Sequence, residues 1–183
     1  MNSIKKKLTR YLSISVSVLL VLILLATDIS VDTWISQEFD KAMINKSNLL
    51  ITLVSEDVNE VDFDFADEFM PEFSGKKDPE YFQLWHDNKV FERSKTLALF
   101  DVNDLPHVDT ELHKSKIINI TLPDGRSGRM ITARFIPQVD SDIREKFSIS
   151  VADFAKTQKP MKLSYAISNE SLNQTLWFVD IIF

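Results

Sequence analysis

The 183 residues include no cysteine, which excludes disulfides, zinc-thiolate and iron–sulfur sites and cysteine nucleophiles. The net charge of −6 is unevenly spread: residues 1–10 carry Lys5, Lys6, Lys7 and Arg10 and no acid, while residues 28–175 hold 17 basic against 26 acidic side chains. A basic head before an acidic body argues against nucleic acid as a partner, because that needs a basic surface on the folded part.

After this head, residues 1–10, the run Tyr11–Thr27 has no charge in seventeen residues. At ~1.5 Å per residue it makes about 26 Å of helix, and extending it back to Leu8 gives a full crossing. Residues 8–27 are therefore expected to be a first transmembrane helix. A cleaved signal peptide is the rival reading, but cleavage after Ala26 would put Leu24 where a small residue is wanted. The basic residues before the span place the N-terminus in the cytoplasm and the body outside it.

Residues 28–171 form the expected extracytoplasmic domain. From Asp28 to Val54 the periodicity continues as helix, with Ile35, Phe39, Ala42, Met43, Leu49, Leu50 and Leu53 on one stripe broken by Lys46. Such a stripe packs on the domain's own sheet, or forms a dimer seam through Ile35, Ala42 and Leu49, which recur every seven residues. Asp57 to Glu72 follows with seven carboxylates in sixteen residues, interleaved with Phe63, Phe65 and Phe69. It reads as a short helix or loop that buries its rings and solvates its acids. The functional alternative is a ligand site at Asp62, Asp64, Asp67, Glu68 and Glu72 for a divalent cation or a cationic ligand, although the spacing of a calcium loop is absent.

From Glu80 the period changes to two. Tyr81–His86, a turn at Asp87-Asn88-Lys89, and Val90–Ser94 read as a hairpin. Lys116–Leu122, the turn Pro123-Asp124-Gly125-Arg126, and Arg129–Ile136 read as a second. Met161–Ile167 adds a strand, and Phe147–Val151 alternates well enough for an edge strand inside a long loop. Phe82, Leu84, Ile118, Ile120 and Leu122 are expected to point inward. His107 and His113 are six apart, a spacing that does not place both on one helical face, and read as loop residues; His86 reads as a strand-end residue. No metal site and no catalytic constellation is expected, since no phosphate-binding glycine loop, HExxH or GxSxG occurs.

The last residues, 172–183, turn apolar around Trp177. Twelve residues are too short to cross, so they are expected to be the start of a second, truncated transmembrane helix. Asp180 fits that setting poorly unless it faces a partner helix or water.

Phe63-Asp64-Phe65-Ala66-Asp67-Glu68-Phe69-Met70-Pro71-Glu72-Phe73, Pro79–Trp85, Glu92-Arg93-Ser94 with Leu97, Leu122–Arg126 with Gly128-Arg129, and Arg134-Phe135 with Pro137 occur in an order that resembles the N-terminal sensor region of two-component sensor histidine kinases. The resemblance runs from about Asp32 to the final apolar segment. It implies an α+β domain, a long N-terminal helix packed on an antiparallel PAS-like sheet and flanked by transmembrane helices, in the inner membrane and facing the periplasm. It further implies a homodimer, an unidentified extracytoplasmic ligand, and a kinase core beyond Phe183. ATP, magnesium and a cytoplasmic response regulator would belong to that core, with no cofactor in this segment. The alternative is a non-enzymatic, membrane-anchored interaction or accessory protein.

Overall fold

The computed structural model describes residues 2–57, 60–65, 69–139, 153–154 and 156–182. Phe147–Val151, expected as an edge strand, lies outside them. The chain is a mixed α+β protein that divides into two compact units, Met1–Phe39 with Ser171–Phe183, and Asp40–Glu170.

Helix α1 runs from Asn2 to Thr52. No glycine or proline occurs before Pro71, so nothing in this stretch breaks the helical hydrogen-bond ladder. Residues 6–27 are exposed along their whole length, apolar ones included. This part of α1 is long and apolar enough to cross a membrane. A second helix, α3 (Glu170–Ile182), follows the last strand.

The second unit is built on a five-stranded antiparallel sheet of β3 (Tyr81–His86), β4 (Lys89–Arg93), β5 (Ser115–Thr121), β6 (Ser127–Phe135) and β8 (Met161–Ser168), in the order β4-β3-β8-β6-β5. The two expected hairpins are present. At the β3–β4 turn Asp87 and Asn88 both have positive φ, 51° and 60°, the left-handed pair that a two-residue hairpin requires. Gly125 supplies φ 85° in the β5–β6 turn. Gly128 allows close packing: a Cβ there would sit 2.6 Å from the Ile167 carbonyl and 2.6 Å from Leu122 Cγ. The edge strands β4 and β5 are largely exposed and carry Lys89, Glu92, Arg93 and Lys116, which discourages further strand pairing.

The acidic stretch departs from expectation. Part of it forms a strand, β2 (Val61–Phe63), which pairs antiparallel with β1 (Val54–Glu56), while β1 also runs parallel to β7 (Gln138–Val139). A single turn of 3₁₀ helix, Pro71–Phe73, follows. Phe63 and Phe65 stack at 5.4 Å, and both meet Phe82 edge-on, while Phe69 stands 86% exposed. Pairing of Val61–Phe63 to β1 overrode the local preference for a helix or loop.

The five residues expected to point inward do so, but onto two different faces: Phe82, Leu84 and Leu122 are buried, and Ile118 and Ile120 partly so. The register puts Phe82 beside Tyr165 and Ile131, and Leu84 beside Leu163 and Ala133, on the face that also meets Phe73. Ile118, Ile120 and Leu122 lie on the other face, clustered with Tyr81, Leu97, Leu105, Met130 and Ala166. Both faces are covered, so β3 is buried from Tyr81 through Trp85 whichever way its side chains point.

The last turns of α1 back the first face. Met43, Ser47, Leu50 and, just past the helix, Val54 are buried, whereas Ala42 and Leu49 of the expected stripe are exposed. Asp40 on α1 pairs with Arg129 on β6. Over the second face lies the short helix α2 (Lys95–Leu99) with the segment that follows it. Thr96 donates to the Glu80 carbonyl at 2.6 Å, and the Phe82 N–H donates to Ser94 Oγ at 3.1 Å, which ties α2 to β3.

Candidate functional site

The described carboxylates of the expected ligand site do not converge. Asp62 and Asp64 are exposed on and just after β2, and Asp62 accepts a hydrogen bond from the Phe63 N–H. Asp67 and Glu68 lie outside the described residues. Glu72, on the 3₁₀ turn, is engaged elsewhere: Lys46 of α1 contacts it at 2.5 Å and Glu80 at 2.7 Å, and lies 5.2 Å from the centre of the Phe73 ring. Tyr165 donates its hydroxyl to Glu80 at 2.7 Å. Burial opposes ionisation of Glu72, but the Lys46 hydrogen bond and charge outweigh it and hold the carboxyl below its ordinary range. This cluster fastens helix to sheet rather than opening toward a ligand. Among the described residues no group of three or more histidines and carboxylates is arranged to hold a metal.

A different place offers room. On the second face, Trp85 of β3 is directly opposite Lys162 of β8, and Lys162 is directly opposite Arg134 of β6. This row borders a groove of about 830 Å³, lined on its apolar side by Trp85, Val90, Leu105 and Pro106 and on its polar side by Asp104, His107, Asp109 and Lys162. An adjoining hollow of about 280 Å³ shares Trp85 and Lys162 and adds Asp87, Arg134 and Lys159. The volume is within the range of small-molecule sites.

The wall of the groove is held by side chains from the sheet. Buried Gln83 donates to Asp104 Oδ1 at 2.6 Å and accepts from the Leu105 N–H at 2.6 Å. Ser164 donates to the Pro106 carbonyl at 3.1 Å and lies 3.2 Å from Thr132 Oγ1. These three polar residues form the next row of the sheet, so the segment Asp104–Pro106 is fixed to β3 and β8 rather than free-hanging. His107 then brings its ring to 5.1 Å from Trp85, tilted by 50°.

The charges around the groove are unevenly partnered. Lys162 bonds Asp109 at 2.6 Å, and Asp109 is 89% exposed. Lys159 bonds Asp87 at 2.7 Å. In both pairs the hydrogen bond from the lysine, aided by its charge, holds the aspartate below its usual range. Arg134 has no ion pair among the described residues, although its charge is close enough to help keep Asp109 ionised.

In the sequence Gln83, Trp85, Arg134 and Lys162 read as strand residues, Gln83, Trp85 and Arg134 also fall within the motifs of the resemblance, and none of them, nor Asp104, is given a role in a site. His107 and His113 are exposed loop residues as expected, but His107 faces the groove. One available signal was the polar Gln83 in the middle of Tyr81-Phe82-Gln83-Leu84-Trp85, since a polar residue in a doubly buried strand must find partners. Asp180 lies on α3, and its side chain is outside the described part of the structure. No family model matches the chain, no curated protein matches it, and no solved structure matches it.

Proposed function

We propose that this chain is the extracytoplasmic input region of a two-component sensor histidine kinase, anchored in the inner membrane and acting as a homodimer. The observation that carries the reading is α1: one uninterrupted helix holds the uncharged run Tyr11–Thr27 and, in its last turns, the residues Met43, Ser47 and Leu50 that back the sheet. A ligand that favours one arrangement of the sheet domain would thereby act on an element that also forms the membrane span.

Further support comes from the order of the motifs quoted above, and from the sheet itself. Numbered along their own sequence, its strands run second–first–fifth–fourth–third, the order of a PAS-like sheet, with a helix against one face. The exposed Ala42 and Leu49, seven residues apart on α1, are free to meet a second copy. The domain contributes no chemistry; its output is the relation between helices, read by a kinase core with its own ATP and magnesium.

The test joins this chain to a heterologous histidine kinase core, alongside topology reporters fused after Phe100. A periplasm-dependent reporter should be active there, and groove or sheet substitutions should change autophosphorylation of the chimera. A reporter active only in the cytoplasm, or a correctly inserted chimera whose kinase activity ignores every substitution in Asp40–Glu170, would defeat the proposal.

A further inference from the structure

We propose that the Trp85 groove binds a small organic carboxylate, the carboxylate held between Arg134 and Lys162 and the carbon skeleton lying along Trp85 and Leu105. The inference deepens the sensory reading and rests on it for the expectation of a ligand.

The starting point is an unfavourable feature of the sheet. Lys162 and Arg134 are directly opposite each other on adjacent antiparallel strands and project to the same face. Residues so placed have Cβ atoms about 5 Å apart, and like charges in that relation destabilise the pair. Both side chains are partly buried, so solvent screens them less than it would on an open edge. Among the described residues the only carboxylate on this pair is Asp109, which bonds Lys162 alone from an exposed position. An exposed pair of that kind contributes little and exchanges readily for a better partner. Arg134, with its planar fork of donors, has no carboxylate partner among the described residues. An anion between the two cations would remove their repulsion and supply the fork with its partner.

The rest of the groove selects the kind of anion. Trp85 is third in the same row and, with Leu105, offers an apolar wall that inorganic anions do not use. Asp87 is paired with Lys159, while Asp104, which accepts from the neutral Gln83 amide, keeps its charge at an exposed position on the groove's rim. The clamp of Gln83 and Ser164 on Asp104–Pro106 holds the wall in position before a ligand arrives, which lowers the ordering cost of binding. A cationic ligand would meet Arg134 and Lys162 first.

The experiment uses the full chain in lipid nanodiscs and calorimetric titration with benzoate, succinate and inorganic phosphate. At least one carboxylate should bind saturably, with Kd between ~1 µM and ~1 mM, and more tightly than phosphate. Arg134→Gln and Lys162→Gln should each weaken binding by ~10-fold or more, whereas Lys76→Gln on a distant loop should not. The ligand-free protein supplies an independent readout: Arg134→Gln should raise its melting temperature by ~1–3 °C, because it removes the like-charge contact. A merely structural arginine would lower it. Circular dichroism establishes that each variant is folded. Three results would overturn the proposal: no carboxylate bound at ~10 mM, binding indifferent to both substitutions, or phosphate binding alone. Any of them leaves the topology and chimera tests of the sensory role untouched, and failure of those tests leaves a carboxylate-binding domain with another output.

Discussion

The two faces of the five-stranded sheet are closed in different ways. The face toward α1 is sealed by a helix and by rings: Phe82, Leu84, Ile131, Leu163 and Tyr165 meet Met43, Leu50, Val54 and Phe73, and its charges are neutralised in place by Lys46 with Glu72 and Glu80 and by Arg129 with Asp40. The other face is sealed only toward Tyr81, Met130 and Ala166, where Leu97, Leu105 and Leu122 cover it. At its far end the row Trp85, Lys162 and Arg134 borders open space. A rod-like helix can cover a sheet along its length, whereas a loop pinned by two side chains covers only the rows it reaches. Trp85 itself is buried within the cluster, so it is the partly exposed Lys162 and Arg134 end of the row that is left available to a ligand.

Four experiments on the detergent-solubilised chain, in falling order of effect, test this contrast. Leu84→Asp puts an unpaired carboxylate into the sealed face at a fully buried position and should cost more than ~4 kcal/mol, abolishing the cooperative melt. Asn119→Asp on the exposed edge strand should leave the melt in place. Equal effects would refute the register.

Gly128→Ala adds a Cβ against the Ile167 backbone carbonyl, which cannot move aside without disturbing the β6–β8 pairing. A loss of ~2–3 kcal/mol in denaturant unfolding is expected. A neutral result would mean that the two strands are further apart than described.

Lys46→Met keeps the apolar stem but leaves Glu72 and Glu80 without their cation. The site is partly exposed, so ~1–2 kcal/mol is expected rather than the larger cost of a deeply buried pair. The pH dependence supplies the sharper test. Glu72 has a folded pKa below its ordinary 4.5, so its contribution is present above that value and is lost as pH falls through the lower folded one. Melting temperatures of the parent should therefore drop in this acid window, and the drop should shrink in Lys46→Met. Parallel curves would show that Glu72 is not coupled to Lys46.

The smallest effect belongs to the acidic stretch. Asp62→Asn with Asp64→Asn removes two solvated charges and should change stability by no more than ~0.5 kcal/mol. A larger shift, in thermal melts with or without calcium, would mean that these side chains have a partner beyond those described.

The contrast between faces was only half legible in the residues. The β3–β4 hairpin was readable because Asp87-Asn88 tolerates the left-handed backbone that a two-residue turn demands. The inward direction of β3 was not, because Tyr81, Phe82, Leu84 and Trp85 are apolar on both parities and alternation carries no information in a strand covered on both sides. The stripe on α1 was read as one surface, yet Met43, Ser47 and Leu50 pack inward while Ala42 and Leu49 do not. Ser47, a polar residue not among those of the stripe, is buried because it stands one helical turn from Met43 and from Leu50.

Some features of this protein are local and could be read from the residues alone. The uncharged run Tyr11–Thr27, the absence of any helix breaker before Pro71, the two hairpins and the lack of cysteine chemistry all follow from neighbours along the chain. The groove is of the other kind. Trp85, Lys162 and Arg134 become one row only when β3, β8 and β6 pair in one register, and a shift of one residue would turn each side chain to the opposite face. Gln83 and Ser164 acquire their partners in Asp104–Pro106 from the same pairing. Because register is set by packing on both faces of the sheet at once, only the tertiary structure could bring these residues together.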